Sequence, residues 1–198
     1  METMKKLYLI LIISIFALCT GCKKDNASTD SGNGGGGGNE TIYNIGDYYN
    51  VNGVEGVVYK ISDEGQHGMI VSMDEPNGFR KWSIETVETG ATDVYDGKSN
   101  MNLIISNFDL EQYPAFEWCN SKNVGDITGW YLPAHYELGD IINSINTINE
   151  TLANNGGAEL LDAVYWSSSE DTFAKASSYP SNNHSKGEYH RVRAVHSF

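Results

Sequence analysis

The stretch from Lys23 to Asn39 divides this chain and decides which part of it can fold. Its seventeen residues hold one apolar side chain, Ala27, and end close behind five consecutive glycines, Gly34 to Gly38. Such a segment buries too little surface to offset the entropy of ordering it. It reads as a flexible tether with an r.m.s. reach of roughly 20–25 Å. Folding is therefore expected in residues 41–198, a length that normally makes one domain with a core able to stand without staples.

What precedes the tether reads as an export signal. Lys5 and Lys6 give a positive start, Leu7 to Leu18 an apolar run, and Thr20-Gly21-Cys22 a small-residue approach to a cysteine. A run of about a dozen residues is short for crossing ~30 Å of hydrocarbon and fits a secretory signal. The cysteine after Gly21 resembles the lipobox of bacterial lipoproteins, with Cys19 where Leu is usual. The resemblance implies that Cys22 becomes the lipidated first residue, held in a membrane by its acyl chains. The expected organisation is a signal peptide over 1–21, a lipidated tether over 22–40 and a domain over 41–198. The expected location is the outer membrane, at the cell surface, although Lys23-Lys24-Asp25 only hints at the face.

Loss of Lys5, Lys6 and Glu2 with the signal takes the formal charge from −13 to −14. Nucleic acid and anionic lipid surfaces reward positive charge, so neither is an expected partner. Cationic, neutral and carbohydrate partners remain. Once Cys19 has left and Cys22 carries lipid, Cys119 is alone, and the domain has no intramolecular disulfide.

The domain opens with two β-prone runs, Val57 to Ile61 and Met69 to Met73, joined by a polar turn that includes Gly65 and Gly68. This predicts a hairpin. Asp74 to Gly78 closes it, and Trp82 to Gly97 reads as irregular. Two helices are expected next. Pro114 opens the first, with Ala115, Phe116, Trp118 and Cys119 supplying its apolar faces. The second carries one stripe of Leu138, Ile141, Ile142, Ile145, Ile148 and Leu152, ended by Asn154-Asn155-Gly156-Gly157. Strands follow: Val164 to Ser167, paired with Thr172 to Tyr179, a polar loop over Pro180 to Gly187, and a last strand from Tyr189 to Val195. Its alternation places Arg191 and Arg193 on one face, Val192 and Ala194 on the other. Hairpin, two helices and antiparallel sheet make the fold class α+β.

Three stretches, in order, resemble a known family. Gly129-Trp130-Tyr131-Leu132-Pro133 with Glu137-Leu138 is similar to a G-W-R-L-P-x-x-x-E-L signature; Tyr165-Trp166-Ser167-Ser168-Ser169-Glu170 is similar to Y-W-S-S-T-E; Val192-Arg193-Ala194-Val195 is similar to a closing V-R-x-V. These motifs mark the C-terminal domains of collagen-like bacterial adhesins (Lcl-C type) and the related major paralogous domains. The resemblance covers Asn44 to the C-terminus and implies a C-type-lectin-like fold, two helices packed on antiparallel sheets. Tyr131 stands where Arg is common and Ala134 where Thr would cap a helix. Read physically, Trp130 and Trp166 are core anchors, Ser167 to Ser169 satisfy backbone groups at a strand end, and Arg193 pairs with a carboxylate inside the fold.

Enzymatic readings are weak. Ser167 to Ser169 lack the G-x-S-x-G turn of a hydrolase nucleophile. Formylglycine-generating enzymes, which share the general fold, use a cysteine pair that binds copper, and here Cys119 stands alone. Glu75-Pro76-Asn77 spells the tripeptide with which sugar-binding lectins hold calcium, but it precedes Gly78 without a later W-N-D and reads as a turn. No D-x-D-x-D-G loop occurs. His184, His190 and His196 cluster in sequence, yet their spacing fits no common ligand pattern, so no metal and no cofactor is expected.

The late loop from Tyr179 to Tyr189 has the composition of a binding loop, rich in Ser, Asn, Tyr and His. Tyr179, Asn182, Asn183, His184, Tyr189 and His190 are the candidate ligand residues. The expected function is a non-enzymatic adhesion module recognising glycan or protein. The alternative is a structural subunit of a surface or fimbrial assembly, which an exposed apolar groove or unpaired edge strand would favour; a formylglycine-generating-type enzyme stands last.

Overall fold

A computed structural model describes residues 41–172, 175–180 and 183–198. The signal segment, Cys22, the tether and Asn182 lie outside the described residues. Among those described, no helix is long and apolar enough to cross a membrane.

The chain is α+β with antiparallel sheets. Strand β1 (Tyr48–Val51) turns through Asn52-Gly53 into β2 (Val54–Ser62). Both turn residues have positive φ, 52° and 82°, the conformation a two-residue type I′ hairpin requires. Strand β3 (His67–Ser72) pairs with β2 across the expected turn, with a register shift between Val58 and Lys60. Val57, Val58, Ile70 and Val71 are fully buried, so this hairpin is the floor of the core.

The short strand β4 (Arg80–Lys81) follows, and then four helices where two were expected: α1 (Gly97–Asn107), α2 (Pro114–Asn120), α3 (His135–Asn143) and α4 (Ile145–Asn154). Helix α1 carries no strong apolar stripe. It starts on Asp96, whose carboxylate accepts from the Ser99 N–H at 2.9 Å and the Ser99 hydroxyl at 2.6 Å, an N-cap. It buries Met101 and Ile104.

The stripe from Leu138 to Leu152 belongs to two helices. Ser144 interrupts it at φ −108°, ψ 15°, because α3 packs on the late sheet and on β2, whereas α4 packs on β2 alone of the strands it mainly touches. A straight helix could not follow both surfaces. Gly156 closes α4 at φ 73°, and the Gly157 N–H donates to Leu152 at 2.8 Å, a Schellman closure as the sequence predicts.

The last third builds β5 (Tyr165–Thr172), β6 (Lys175–Tyr179), β7 (His184–Ser185), β8 (Tyr189–His190) and β9 (Val195–Ser197). The sheets are β1-β2-β3-β9, β4-β8 and β5-β6-β7. The single closing strand expected from Tyr189 to Val195 is therefore divided. Its backbone serves three neighbours in turn: Tyr189 and His190 pair with β4, Arg191 exchanges bonds with Val164 and Trp166, and Val195 pairs with Tyr131 and β3. No straight ladder reaches all three. The side-chain alternation survives, since Val192 and Ala194 are buried and both arginines reach Glu75.

Trp82 and Trp166 are the largest fully buried side chains, and Trp130 is buried as well. Trp82 meets Phe116 edge-on at 5.0 Å and donates its indole N–H to the Ser167 carbonyl at 2.9 Å. Trp166 donates to the Arg80 carbonyl at 2.9 Å. Each indole thus fills the core and satisfies a carbonyl that regular pairing leaves open.

Candidate functional site

The segment from His184 to His190 is held in place by a buried ion pair beneath it. Lys186 is 1% exposed, and its ammonium donates to the Glu170 carboxylate and to the Val87 carbonyl, the latter at 2.6 Å. It also lies 4.6 Å from the centre of the Trp82 ring. Glu170 accepts in addition from the N–H groups of Thr89 and Gly90 at 2.7–2.9 Å. The Lys186 carbonyl takes the N–H groups of Trp82 and Ser83, both at 3.1 Å. A buried carboxylate and a buried ammonium are tolerated only with this degree of satisfaction.

Above this pair, β7 and β8 flank a tight turn at Lys186-Gly187. Alternation along β8 sends its two side chains apart. His190 packs on Trp166, ring centres 4.6 Å apart, and meets His184 at 4.4 Å. Glu188 joins them: its Oε2 lies 2.9 Å from His184 Nδ1 and 3.5 Å from His190 Nε2. Its Oε1 accepts from the Ser185 N–H at 3.0 Å. The hydrogen bond with His184 holds the Glu188 carboxyl below its usual range, and burial, followed by the neighbouring His184, holds His190 below the usual imidazole range.

Tyr189 faces the other way, 63% exposed, with the Lys81 ammonium 5.2 Å from its ring centre. With Phe79, Ile84 and Pro114 it lines a shallow groove of about 300 Å³. Phe79 and Ile84 are themselves more than half exposed. Arg80 and Lys81 rim the groove, and the Arg191 guanidinium, ion-paired with Glu75, lies 5.4 Å from the centre of the Phe79 ring. An apolar cleft with a cationic rim is unusual on a chain of formal charge −13.

The structure thus brings His184 and His190 together and turns Tyr189 onto a different face. Tyr179 lies at the far end of β6, against Gly139 of α3 and 6.0 Å from His135, while Asn183 is exposed at φ 67°. His196 is separate from the other two late histidines. It packs tilted against Trp130, ring centres 5.2 Å apart, and shares a 2.7 Å hydrogen bond with the Thr128 carbonyl. Glu188, Phe79 and Ile84 were missed by sequence reasoning. Glu188 could have been found as the carboxylate between two histidines, but the two apolar residues have no periodicity to announce them.

Elsewhere the motif residues are structural, as expected. Glu75 accepts from Arg191 Nη1 at 2.6 Å, Arg193 Nε at 3.2 Å and the Tyr165 hydroxyl at 2.9 Å. Arg193 is fully buried, which pulls its pKa down, and it also donates to the carbonyls of Ser72, Asp74 and Ala158. Ser167 and Ser169 donate to the carbonyls of Ser177 and Asp93, and Ser168 accepts from Asn100. Tyr131 and Ala134, the departures from the family pattern, both bond Glu137: the Tyr131 hydroxyl donates to one oxygen at 2.8 Å and the Ala134 N–H to the other at 2.8 Å. With no side-chain cap at Ala134, Glu137 alone supplies that half of a capping box. A second aromatic feature lies at the start of α3, where Tyr95 and Tyr136 stack at 4.6 Å and 14°, 68% and 50% exposed.

No family model and no curated protein matches the chain. Among solved structures it is similar to a fimbrial protein from Bacteroides ovatus, with a TM-score of 0.61 and 18% identity over 79% of this chain. The chain spans about half the length of that structure, 49%. At this identity the likeness is one of fold.

Proposed function

We propose that this chain is a non-enzymatic, lipid-anchored surface protein that serves as a structural subunit of a fimbria-like assembly. The observation that carries the reading is the groove of Phe79, Ile84, Pro114 and Tyr189 with its rim of Arg80 and Lys81. Exposed apolar side chains of this size, clustered beside cations on an acidic protein, suit an apolar segment flanked by carboxylates. A neighbouring subunit of acidic composition like this one supplies that chemistry. The outer position of β1 in the four-stranded sheet offers a second place for strand addition. The fold shared with a fimbrial protein supports the same reading. Lipid at Cys22 and the tether would hold the subunit at the outer membrane, and a C-type-lectin-like fold remains part of the proposal through the three motifs.

The test is incorporation into sheared surface material from cells producing either the native chain or the triple variant Phe79→Ser/Ile84→Ser/Tyr189→Ser. The variant should fold with its melting temperature little changed, since exposed sites away from special features shift stability by only about 0.5 kcal/mol, and should be absent from the polymer. Incorporation of the variant at the native level would overturn the assignment of the groove; absence of the native chain from any polymer would overturn the assembly role.

A second reading, glycan adhesion, is favoured by the flat exposed pair of Tyr95 and Tyr136, whose ring faces suit stacking on a sugar. In that reading the late-loop residues Tyr179, Asn183, His184 and His190 contribute polar contacts. Glycan-array binding lost on Tyr136→Ala, with assembly intact, would select it.

A further inference from the structure

The histidine pair on the β7–β8 turn has a geometry that ion pairing alone does not explain. One carboxylate oxygen, Glu188 Oε2, is placed between two imidazoles, 2.9 Å from one ring nitrogen and 3.5 Å from another. One potential ligand atom from each of the three residues lies within 4.8 Å of the other two. Bonds of about 2.0–2.2 Å to a tetrahedral zinc ion set ligand atoms about 3.3–3.5 Å apart, so small rotations bring the set to that spacing. A second observation concerns one of these atoms. Nε2 of His190 is buried and, at 3.5 Å from Glu188 Oε2, has no hydrogen-bond partner. An orphaned ring nitrogen beneath the surface is costly unless a donor or an ion meets its lone pair.

The surroundings are those of a prepared site. Ser185 holds the other oxygen of Glu188 through its N–H, fixing the carboxylate as a supporting shell fixes a ligand. Trp166 backs both rings, and the Lys186–Glu170 pair pins the turn that joins them. Glu188 itself is exposed, which gives an ion a route in from solvent. Two imidazoles and one carboxylate suit a borderline divalent ion of the first transition row and poorly suit calcium or magnesium, which prefer oxygen.

We infer that His184, Glu188 and His190 bind one zinc ion, or a similar divalent transition ion, with a fourth position left open to water. The inference stands apart from the assembly role. The site clasps the β7–β8 turn, which bears Tyr189 of the groove on its opposite face.

The experiment uses the purified, tag-free protein stripped with EDTA and titrated by calorimetry with zinc chloride, and in parallel with calcium and magnesium chlorides. Expected are one equivalent of zinc, a raised melting temperature, and no heat from calcium or magnesium. Cobalt chloride should give the visible absorption of a tetrahedral centre. Glu188→Gln and His190→Gln should weaken zinc binding by at least about tenfold, whereas His196→Gln should not. Glu188 is exposed, so its variant keeps the fold and decides the matter even if His190→Gln does not fold. No saturable uptake, or uptake unchanged in Glu188→Gln, or uptake lost equally in His196→Gln, would overturn the inference.

Discussion

The four-stranded sheet and the β4–β8 region are held together by different means. In the sheet, β2 and β3 pair along six positions over a floor of Val57, Val58, Ile70 and Val71. Backbone bonds and apolar burial coincide there, and each residue supports its neighbours. In the second region β4 and β8 share two pairs, Arg80 with His190 and Lys81 with Tyr189. What fixes that region is two carboxylates, one buried and one partly buried. Glu170 ties Lys186 to the Thr89-Gly90 backbone, and Glu75 ties Arg191 and Arg193 to the turn after β3. The candidate groove and the histidine cluster both lie on the second region. Both features therefore rest on segments that regular pairing barely holds and that the two ionic pins fix in place.

The contrast predicts its own largest effect. Glu170→Gln leaves the Lys186 ammonium buried without its counter-charge, at a cost of about 3–5 kcal/mol. Adding Lys186→Met should restore most of it, because Gln still offers a carbonyl to the Thr89 and Gly90 N–H groups and Met fills the aliphatic space. Urea unfolding measures the totals, and hydrogen exchange should show residues 184–190 opening first in the single variant. If both variants opened the four-stranded sheet first, the division between ladder and pins would be wrong.

The same division explains what could be read from the sequence. The β2–β3 hairpin, the Pro114 helix and the Gly156 closure announce themselves because period, proline and glycine act within a few residues. Arg191 and Arg193 sharing a face was legible for the same reason. Their partner was not: Glu75 is 116 positions from Arg191, and in its own neighbourhood it reads only as part of a turn. Helix α1 was missed because its buried face is short, and its one strong local signal, Asp96 before Ser99, is a cap without a stripe. The break at Ser144 follows from which strands α3 and α4 meet, a property of the assembled fold. The histidine cluster lay half in view. The residues were visible, but the separation of His196 from the other two depends on the closing segment crossing between sheets.

A smaller effect sharpens the comparison from the other side. Ile70→Val, in the middle of the ladder, removes one methylene and leaves every polar group satisfied, so it should cost about 0.5–1.5 kcal/mol. No second substitution should rescue it as Lys186→Met rescues Glu170→Gln. A loss as large as that of Glu170→Gln, measured in the same urea series, would mean that the ladder and the ionic pins do not differ in kind.

The smallest effect is a pH dependence placed at the junction of α3 with β6. His135 Nδ1 shares a 2.6 Å hydrogen bond with the Ser177 hydroxyl, and burial lowers the pKa of the ring. An unfolded histidine takes up its proton near pH 6.5. Between that value and the lower one of the folded state, the unfolded chain binds more protons, so stability falls as the pH falls. The stabilising contribution is complete above about pH 6.5 and is lost on acidification through the folded value. Melting temperature should decline across this window in the native protein and decline less steeply in His135→Gln, whose amide keeps a partner for Ser177 without titrating. An equal slope in both proteins would move the acid sensitivity away from this junction, and the β7–β8 turn, where burial also lowers His190, would be the next place to look.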